Sequence, residues 1–147
     1  MKVSNGLKWG LIFGLSIGII AAGIIYAIQY MPQMPQLQKE YYSLILNETK
    51  NATEASLAMK ELPTVLPITI IMISGFAYTI SGALAGLIIA YIWERNSSWV
   101  VKGIIGGVIV LLLSFLFGAL SLFETLPISL LIGLLISYRL NAINRKV

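Results

Sequence analysis

Four long apolar segments constrain this chain more than any other feature of its sequence. They cover residues 9–30, about 63–93, about 100–123 and 126–140, and charged side chains lie only near their ends, at Lys102 and Arg139. A helix needs about 20 apolar residues to cross the hydrocarbon core of a bilayer. The first three segments reach this length. The fourth spans only if Arg139 extends its charge to the membrane surface, and a re-entrant segment is the alternative.

We therefore predict an all-α fold: a polytopic integral membrane protein with a single membrane domain over 1–147, folded as a four-helix transmembrane bundle. The composition supports this class, because 58% of residues are hydrophobic and 11% are charged, whereas soluble domains are about a quarter charged. Lys2 and Lys8 precede the first segment as in a signal peptide. Its apolar run is too long for one, so we expect a retained helix.

The residue types that are missing exclude most catalytic and metal chemistry. The chain has no Cys, His or Asp, so thiolate and imidazole ligands, a His base and the Ser-His-Asp arrangement are excluded. Ser97 or Ser98 with Lys102 is the one nucleophile-and-amine spacing, and Lys102 is more simply a topology anchor. We expect no enzyme activity, no catalytic residues, no cofactor and no metal site.

The basic residues predict the orientation of the chain. With four spans, seven of the ten basic residues fall on one side, and most acids fall on the other. The positive-inside rule then predicts a multi-pass protein of the cell membrane with both termini in the cytoplasm, and Trp9, Trp93 and Trp99 mark the same interface. The basic residues are scattered, which favours contact with the lipid bilayer over nucleic acid. The seven are Lys2, Lys8, Arg95, Lys102, Arg139, Arg145 and Lys146.

The extracytoplasmic loop, about 31–62, is the only sizeable polar region. Pro32 and Pro35 at its start predict the end of the first helix. The apolar residues that follow recur at helical spacing and predict one or two short amphipathic helices. They are Leu37, Tyr41, Leu44 and Ile45, then Ala52, Ala55 and Met59 after a polar break. This stripe lies on the membrane surface, docks a partner, or covers its own bundle, which is the simplest interpretation.

Two sequons in this loop match the N-glycosylation pattern, at Asn47 and Asn51. They lie on the predicted outer side, where such acceptors are used. A third match at Asn96 lies on the predicted inner side, where we expect it to be silent.

Small residues at a spacing of four are the most specific pattern within the helices. This spacing places them on one helix face, where they let backbones approach closely in a membrane. We predict helix packing through this face, within the chain or against another copy. The residues are Gly10, Gly14, Gly18 and Ala22 in the first helix, Gly75, Gly82 and Gly86 in the second, and Gly103 and Gly107 in the third.

The second helix also carries Ser74, Tyr78 and Ser81 beside its glycines. They are either a polar lining for a small solute, or hydroxyls that bond backbone carbonyls, as Ser and Thr commonly do in membranes. No charged residue lies deep within a predicted helix, which is untypical of proton-coupled transport.

These patterns favour a non-enzymatic membrane protein that works through helix packing. We expect an accessory or assembly subunit of a membrane complex, with other membrane subunits as partners, or a homo-oligomer. A small uncoupled channel or facilitator for a small solute is the alternative.

Overall fold

A computed structural model describes residues 2–94, 98–117 and 122–145 of the chain. Throughout these ranges the regular structure is helical. Its elements are α1 (Val3–Ile25), a π-helical turn (Tyr26–Tyr30), α2 (Met31–Thr49), α3 (Ala52–Tyr91), a 3₁₀ turn (Ile92–Glu94), α4 (Trp99–Leu116) and α5 (Leu122–Asn144). Four helical stretches are long and apolar enough to cross a membrane: Val3–Thr49, Ala52–Tyr91, Trp99–Leu116 and Glu124–Asn144. The predictions of an all-α chain and of four such helices are confirmed.

The first helix does not end at its prolines, and this corrects the predicted boundary. Helical structure continues from Val3 to Thr49, with a π turn closed by a bond from the Met31 amide to the Tyr26 carbonyl. A π turn bonds to the fifth residue rather than the fourth, so the bonding register changes directly before Pro32. Pro32 then occupies the first turn of α2, where its missing amide costs little. Pro35 follows within the helix.

The region predicted as a loop is therefore almost entirely helical. The chain reverses only at Lys50 and Asn51, between α2 and α3. Lys50 adopts the left-handed conformation, with φ of 55°, and its amide bonds the Leu46 carbonyl. The side-chain oxygen of Asn51 then accepts bonds from the Thr53 and Glu54 amides and caps α3.

α3, which corresponds to the second predicted segment, is longer than predicted at its start. It begins at Ala52 rather than near residue 63, and it includes Pro63 and Pro67. At a rise of about 1.5 Å per residue, its 40 residues span about 60 Å, twice the hydrocarbon thickness of about 30 Å. The hydrocarbon core alone cannot cover such a helix.

The boundary between the last two helices also differs from the prediction. α4 ends at Leu116 and α5 begins at Leu122, so the predicted helix end at residue 123 is wrong. The sequence between them is mostly apolar, and Gly118 and Ser121 are weak signals among apolar neighbours. α5 is one continuous helix of 23 residues, and its stretch Glu124–Asn144 is long and apolar enough to cross a membrane.

The chain divides into two compact units. The bundle unit comprises Met1–Ala21 and Ile73–Val147, and the hairpin unit comprises Ala22–Met72. In the bundle unit, α4 packs against α5, and the core is formed mainly by aliphatic side chains. Its buried members are Tyr78, Ala85, Ile89, Ala90, Trp93, Val110, Ile132, Ile136 and Leu140.

The hairpin unit is a pair of antiparallel helical segments with a narrow seam. Ala55 is buried in this seam, and Gln38, Tyr42, Ile45 and Met59 are half-buried. The Gln38 amide nitrogen donates to the Met59 carbonyl at 3.1 Å, which fixes the register. α2 has no buried residue, so its outer face remains open along its length.

Candidate functional site

The glycines of α1 lie directly against the backbone of α3. A Cβ atom placed on Gly10 would overlap the Gly82 carbonyl oxygen and lie 2.9 Å from the Ala83 Cα. A Cβ placed on Gly14 would overlap the Tyr78 carbonyl oxygen, and one placed on Gly18 would lie 2.8 Å from the Tyr78 Cβ. These distances leave no room for a side chain at the three glycines. Most of the atoms that a Cβ would meet are backbone atoms, which cannot move aside.

The same contact seen from α3 involves Gly82 and Gly86. A Cβ on Gly82 would lie 2.6 Å from the Gly10 carbonyl oxygen, and one on Gly86 would overlap the Gly6 carbonyl. Gly6 thus continues the four-residue spacing, although it precedes the helix start predicted at residue 9. Pairing of Gly6 with Gly86 and of Gly14 with Tyr78 makes α1 and α3 antiparallel.

A second set of glycines lies between α4 and α5. A Cβ on Gly103 would lie 2.9 Å from the Leu134 Cα, and one on Gly107 would lie 2.8 Å from the Leu130 Cα. A Cβ on Gly133 would overlap the Gly107 amide nitrogen. Gly133, the glycine of the fourth predicted segment, thus has the same lack of space as those of α1.

The remaining predicted packing residues are in less crowded surroundings. A Cβ on Gly75 would meet only the Ile19 side chain, at an ordinary 3.5 Å. Ala22 is fully buried and belongs to the hairpin unit. Gly106, which the prediction omitted, faces Ile89 of α3, and a Cβ there would overlap the end of that side chain.

The predicted polar residues of α3 differ in their surroundings. Ser74 is half-buried, whereas Tyr78 and Ser81 are buried. Tyr78 shares a side-chain hydrogen bond with Thr125 of α5. Ser81 is fully buried, and its hydroxyl has no hydrogen-bond partner among the described residues.

Two polar groups of α5 extend this set, and sequence reasoning missed both. Glu124 lies within electrostatic range of Tyr78, and its Oε2 atom is buried without a described partner. Ser129 is fully buried with the same lack of a partner. We call Tyr78, Ser81, Glu124, Thr125 and Ser129 the polar track. The available signal in the sequence is that Glu124, Thr125 and Ser129 lie close together around the start of the fourth predicted segment, 126–140.

The opposite end of the bundle unit carries cations and tryptophans. Lys102 is buried, and its ammonium group donates to the Trp93 carbonyl at 2.8 Å and lies 4.3 Å from the centroid of the Trp93 ring. The Ser137 hydroxyl donates to the Trp99 carbonyl at 2.5 Å. These bonds join the ends of α3, α4 and α5. Lys102 was predicted at the headgroup boundary, and its burial was not foreseen.

The serine-and-lysine spacing is used for helix capping and packing. The Ser98 hydroxyl accepts a bond from the Val101 amide and caps α4, while Lys102 bonds Trp93. Ser97 and Asn96 lie outside the described residues. Both described members of the spacing therefore have structural partners.

The two predicted glycosylation acceptors lie at the tip of the hairpin unit. Asn47 is exposed within the last turns of α2, and Asn51 is exposed in the reversal that follows. The Thr49 hydroxyl donates to the Ile45 carbonyl and accepts from the Asn51 amide. Both acceptor side chains are open to solvent, although Asn51 also caps α3.

Within residues 2–94, 98–117 and 122–145, no group of three His, Cys, Asp or Glu side chains could hold a metal ion. The described residues offer three features: glycine-lined helix contacts, the polar track on α3 and α5, which meet at Tyr78 and Thr125, and a cluster of cations and tryptophans at the other end. Comparison of the chain with protein-family models, with curated proteins and with solved structures finds no match.

Proposed function

We propose that this chain is a non-enzymatic, multi-pass membrane protein that works by association, as an accessory or assembly subunit of a membrane complex or as a homo-oligomer. We place the association surface on the hairpin unit. The main support for this proposal is that the outer faces of α2 and of the adjoining part of α3 are open. Tyr41, Leu44 and Leu57 are exposed there.

The positions of these side chains support this placement. Leu44 and Leu57 are 51% and 56% exposed. Each lies two residues from a seam residue, at Tyr42 and Ala55, so each lies on the outer face of its own helix, and the two leucines are on opposite sides of the hairpin. The flanking sequence, with Lys39, Glu40 and Glu48 among others, is too polar for the hydrocarbon core. We propose that these exposed leucines are contact residues for another protein chain, which would cover them.

The glycine surfaces have a different role in this proposal. Gly10, Gly14 and Gly18 face α3 of the same chain, so a second subunit is not needed to cover them. Lipid tails supply no hydrophobic drive for helix association, and close backbone approach supplies dispersion and weak hydrogen bonds instead. We propose that these glycines hold the bundle unit together and leave the hairpin unit to bind partners.

The orientation follows from charge. We place the end that carries Lys8, Lys102 and Arg139 in the cytoplasm, with both termini, in the cell membrane. The hairpin tip, with Asn47 and Asn51, is then extracytoplasmic. Accessibility of tags at each terminus in intact cells tests this orientation.

The association proposal is tested by native mass spectrometry after gentle extraction from the source membrane. We compare the wild-type chain with Leu44→Lys/Leu57→Lys, and with a control in which exposed polar residues change, Asn47→Lys/Thr53→Lys. We expect a second subunit or a second copy with the wild type and the control, and its loss with the leucine variant. Circular dichroism confirms that each variant remains helical.

Two outcomes would overturn this proposal. A wild-type chain that is a lone monomer has no partner to bind. A complex that survives the leucine variant uses some other surface. The mass of the bound subunit separates an accessory role from homo-oligomerisation.

A specific observation favours a second candidate function, a small pore or facilitator lined by Ser74, Tyr78 and Ser81. Buried polar groups without partners are costly unless water or solute satisfies them. The Tyr78–Thr125 bond puts α3 beside α5, and Ser81 and Ser129 lie about one turn further along their helices.

Flux measurements test this candidate. The chain is reconstituted into vesicles, and the permeability to water and to glycerol is measured by stopped-flow light scattering. Ser81→Leu should abolish flux, whereas Ser16→Leu should not, because Ser16 is exposed on α1 and bonds its own helix at Ile12. Permeability equal to that of empty vesicles would remove this candidate.

A further inference from the structure

Two cations from different helices meet at one tryptophan ring. The guanidinium carbon of Arg139, in α5, lies 4.6 Å from the centroid of the Trp9 ring. The ammonium nitrogen of Lys8, in α1, lies 5.9 Å from the same centroid. Both cationic side chains are exposed, while Trp9 is half-buried and stacks on Phe13 at 5.5 Å.

This arrangement lacks a protein counter-ion in the described part of the bundle unit. Glu124 is the only acid there whose side chain is described, and it lies in the first turn of α5. Arg139 lies 15 residues further along the same helix, or about 22 Å at the rise of an α-helix. Two like charges held on one ring repel each other, and an anion bound between them would offset this repulsion.

The chemistry of the two cations indicates what kind of anion fits. Arg139 is exposed, so a guanidinium in its position has N–H groups free to bind, and these match the oxygens of a phosphate. A lysine ammonium adds a point charge beside it. Trp9 supplies an aromatic surface of the kind that is enriched at the headgroup level of membranes.

Apolar side chains continue from this point along α1. Leu11, Ile12 and Leu15 are exposed on the one to two turns that follow Lys8. They offer an acyl chain a surface that begins beside the two cations. A free phosphate ion has no use for such a surface.

We infer that Lys8, Trp9 and Arg139 form a binding site for the headgroup of an anionic phospholipid, with one acyl chain along Leu11, Ile12 and Leu15. The site bridges α1 and α5, so a bound lipid stabilises their contact. This inference is independent of the proposed association through the hairpin unit.

Native mass spectrometry in lipid tests the site. The full chain is placed in bilayer nanodiscs with equal phosphatidylglycerol and phosphatidylcholine, and the lipids retained on the released protein are counted. Lys8→Gln/Arg139→Gln should lower the preference for phosphatidylglycerol by about tenfold or more, since one hydrogen bond between a cation and a bound phosphate contributes about that factor.

The matched control removes the same charge at the same two chain ends. Lys2→Gln/Arg145→Gln changes two exposed cations away from Trp9, and we expect less than a twofold effect. An equal loss in both pairs would mean general attraction to anionic lipid and would overturn the site.

Two further arms keep the inference falsifiable. Arg139→Lys keeps the charge and gives a folded comparison if the double variant does not fold. Because an ammonium replaces the planar N–H edge, a loss of preference smaller than about tenfold is expected, and no loss would overturn the role of Arg139. Displacement of phosphatidylglycerol by inorganic phosphate would show a free-anion site instead and overturn the lipid assignment.

Discussion

Replacing Gly10 with alanine should destabilise the bundle unit, although alanine is the better helix former. The added methyl group would overlap the Gly82 carbonyl oxygen and lie 2.7 Å from its carbonyl carbon. These are backbone atoms of α3, so they cannot turn aside as a flexible side chain would. The helices must separate, or the contact must be lost.

The magnitude follows from comparison with a second glycine of α1. A Cβ on Gly23 would have no neighbour within 4 Å, so Gly23→Ala gains only helix propensity, about 0.5–1 kcal/mol. Gly10→Ala gains the same amount and also incurs the cost of overpacking, about 1–3 kcal/mol. Since the propensity gain cancels, the two variants should differ by about 1–3 kcal/mol, or about five- to 150-fold in the unfolding equilibrium.

The assay is reversible unfolding of the purified chain in bicelles, measured by steric trapping or by SDS titration. Gly23→Ala should unfold at the same or a higher denaturant fraction than the wild type, and Gly10→Ala at a lower one. Equal stability of the two alanine variants would refute the reasoning, because it would mean that α1 and α3 do not approach as closely as the Gly10–Gly82 contact requires.

Three further substitutions test local features. Lys50→Gly should stabilise the hairpin unit by about 0.5–1 kcal/mol, because glycine adopts the positive φ of 55° more readily; an unchanged melting temperature would contradict this. Asn51→Ala removes the cap of α3 and should cost about 1 kcal/mol, seen as faster amide exchange at the start of α3, while Asn47→Ala should leave that exchange unchanged. Lys102→Met leaves the buried Trp93 carbonyl without its donor and should lower stability by about 1–3 kcal/mol in thermal unfolding; a wild-type melting temperature would show that water replaces the ammonium.

The four apolar helices were predictable because the hydropathy of a segment is a sum over its residues. Each needs a run of residues without interior charge, and the sequence displays these runs directly. Helix ends depend instead on single bonds and turns. Pro32 predicts the end of the first helix, but the π turn before it lets the helix continue, and such a turn has no clear sequence signature.

Candidate residues were predictable where their spacing lies within a single helix. The four-residue spacing of Gly10, Gly14 and Gly18 is visible within α1, and Gly6 was missed only because the helix was started too late. The polar track was not visible in this way. Tyr78 and Thr125 are 47 residues apart, and only the packing of α3 beside α5 brings them together.

The burial of Lys102 shows what the sequence alone could not distinguish. From its position near a helix start, this residue has the pattern of a snorkelling cation, as Arg139 does near a helix end. The structure separates the two: Lys102 donates into its own chain at the Trp93 carbonyl, while Arg139 remains exposed over Trp9. A cation satisfied by a backbone carbonyl is a structural element, whereas Arg139 is exposed, shares a ring with Lys8 and is free to bind an anion. Arg139 is therefore assigned to lipid binding, and Lys102 to the stability of the bundle unit.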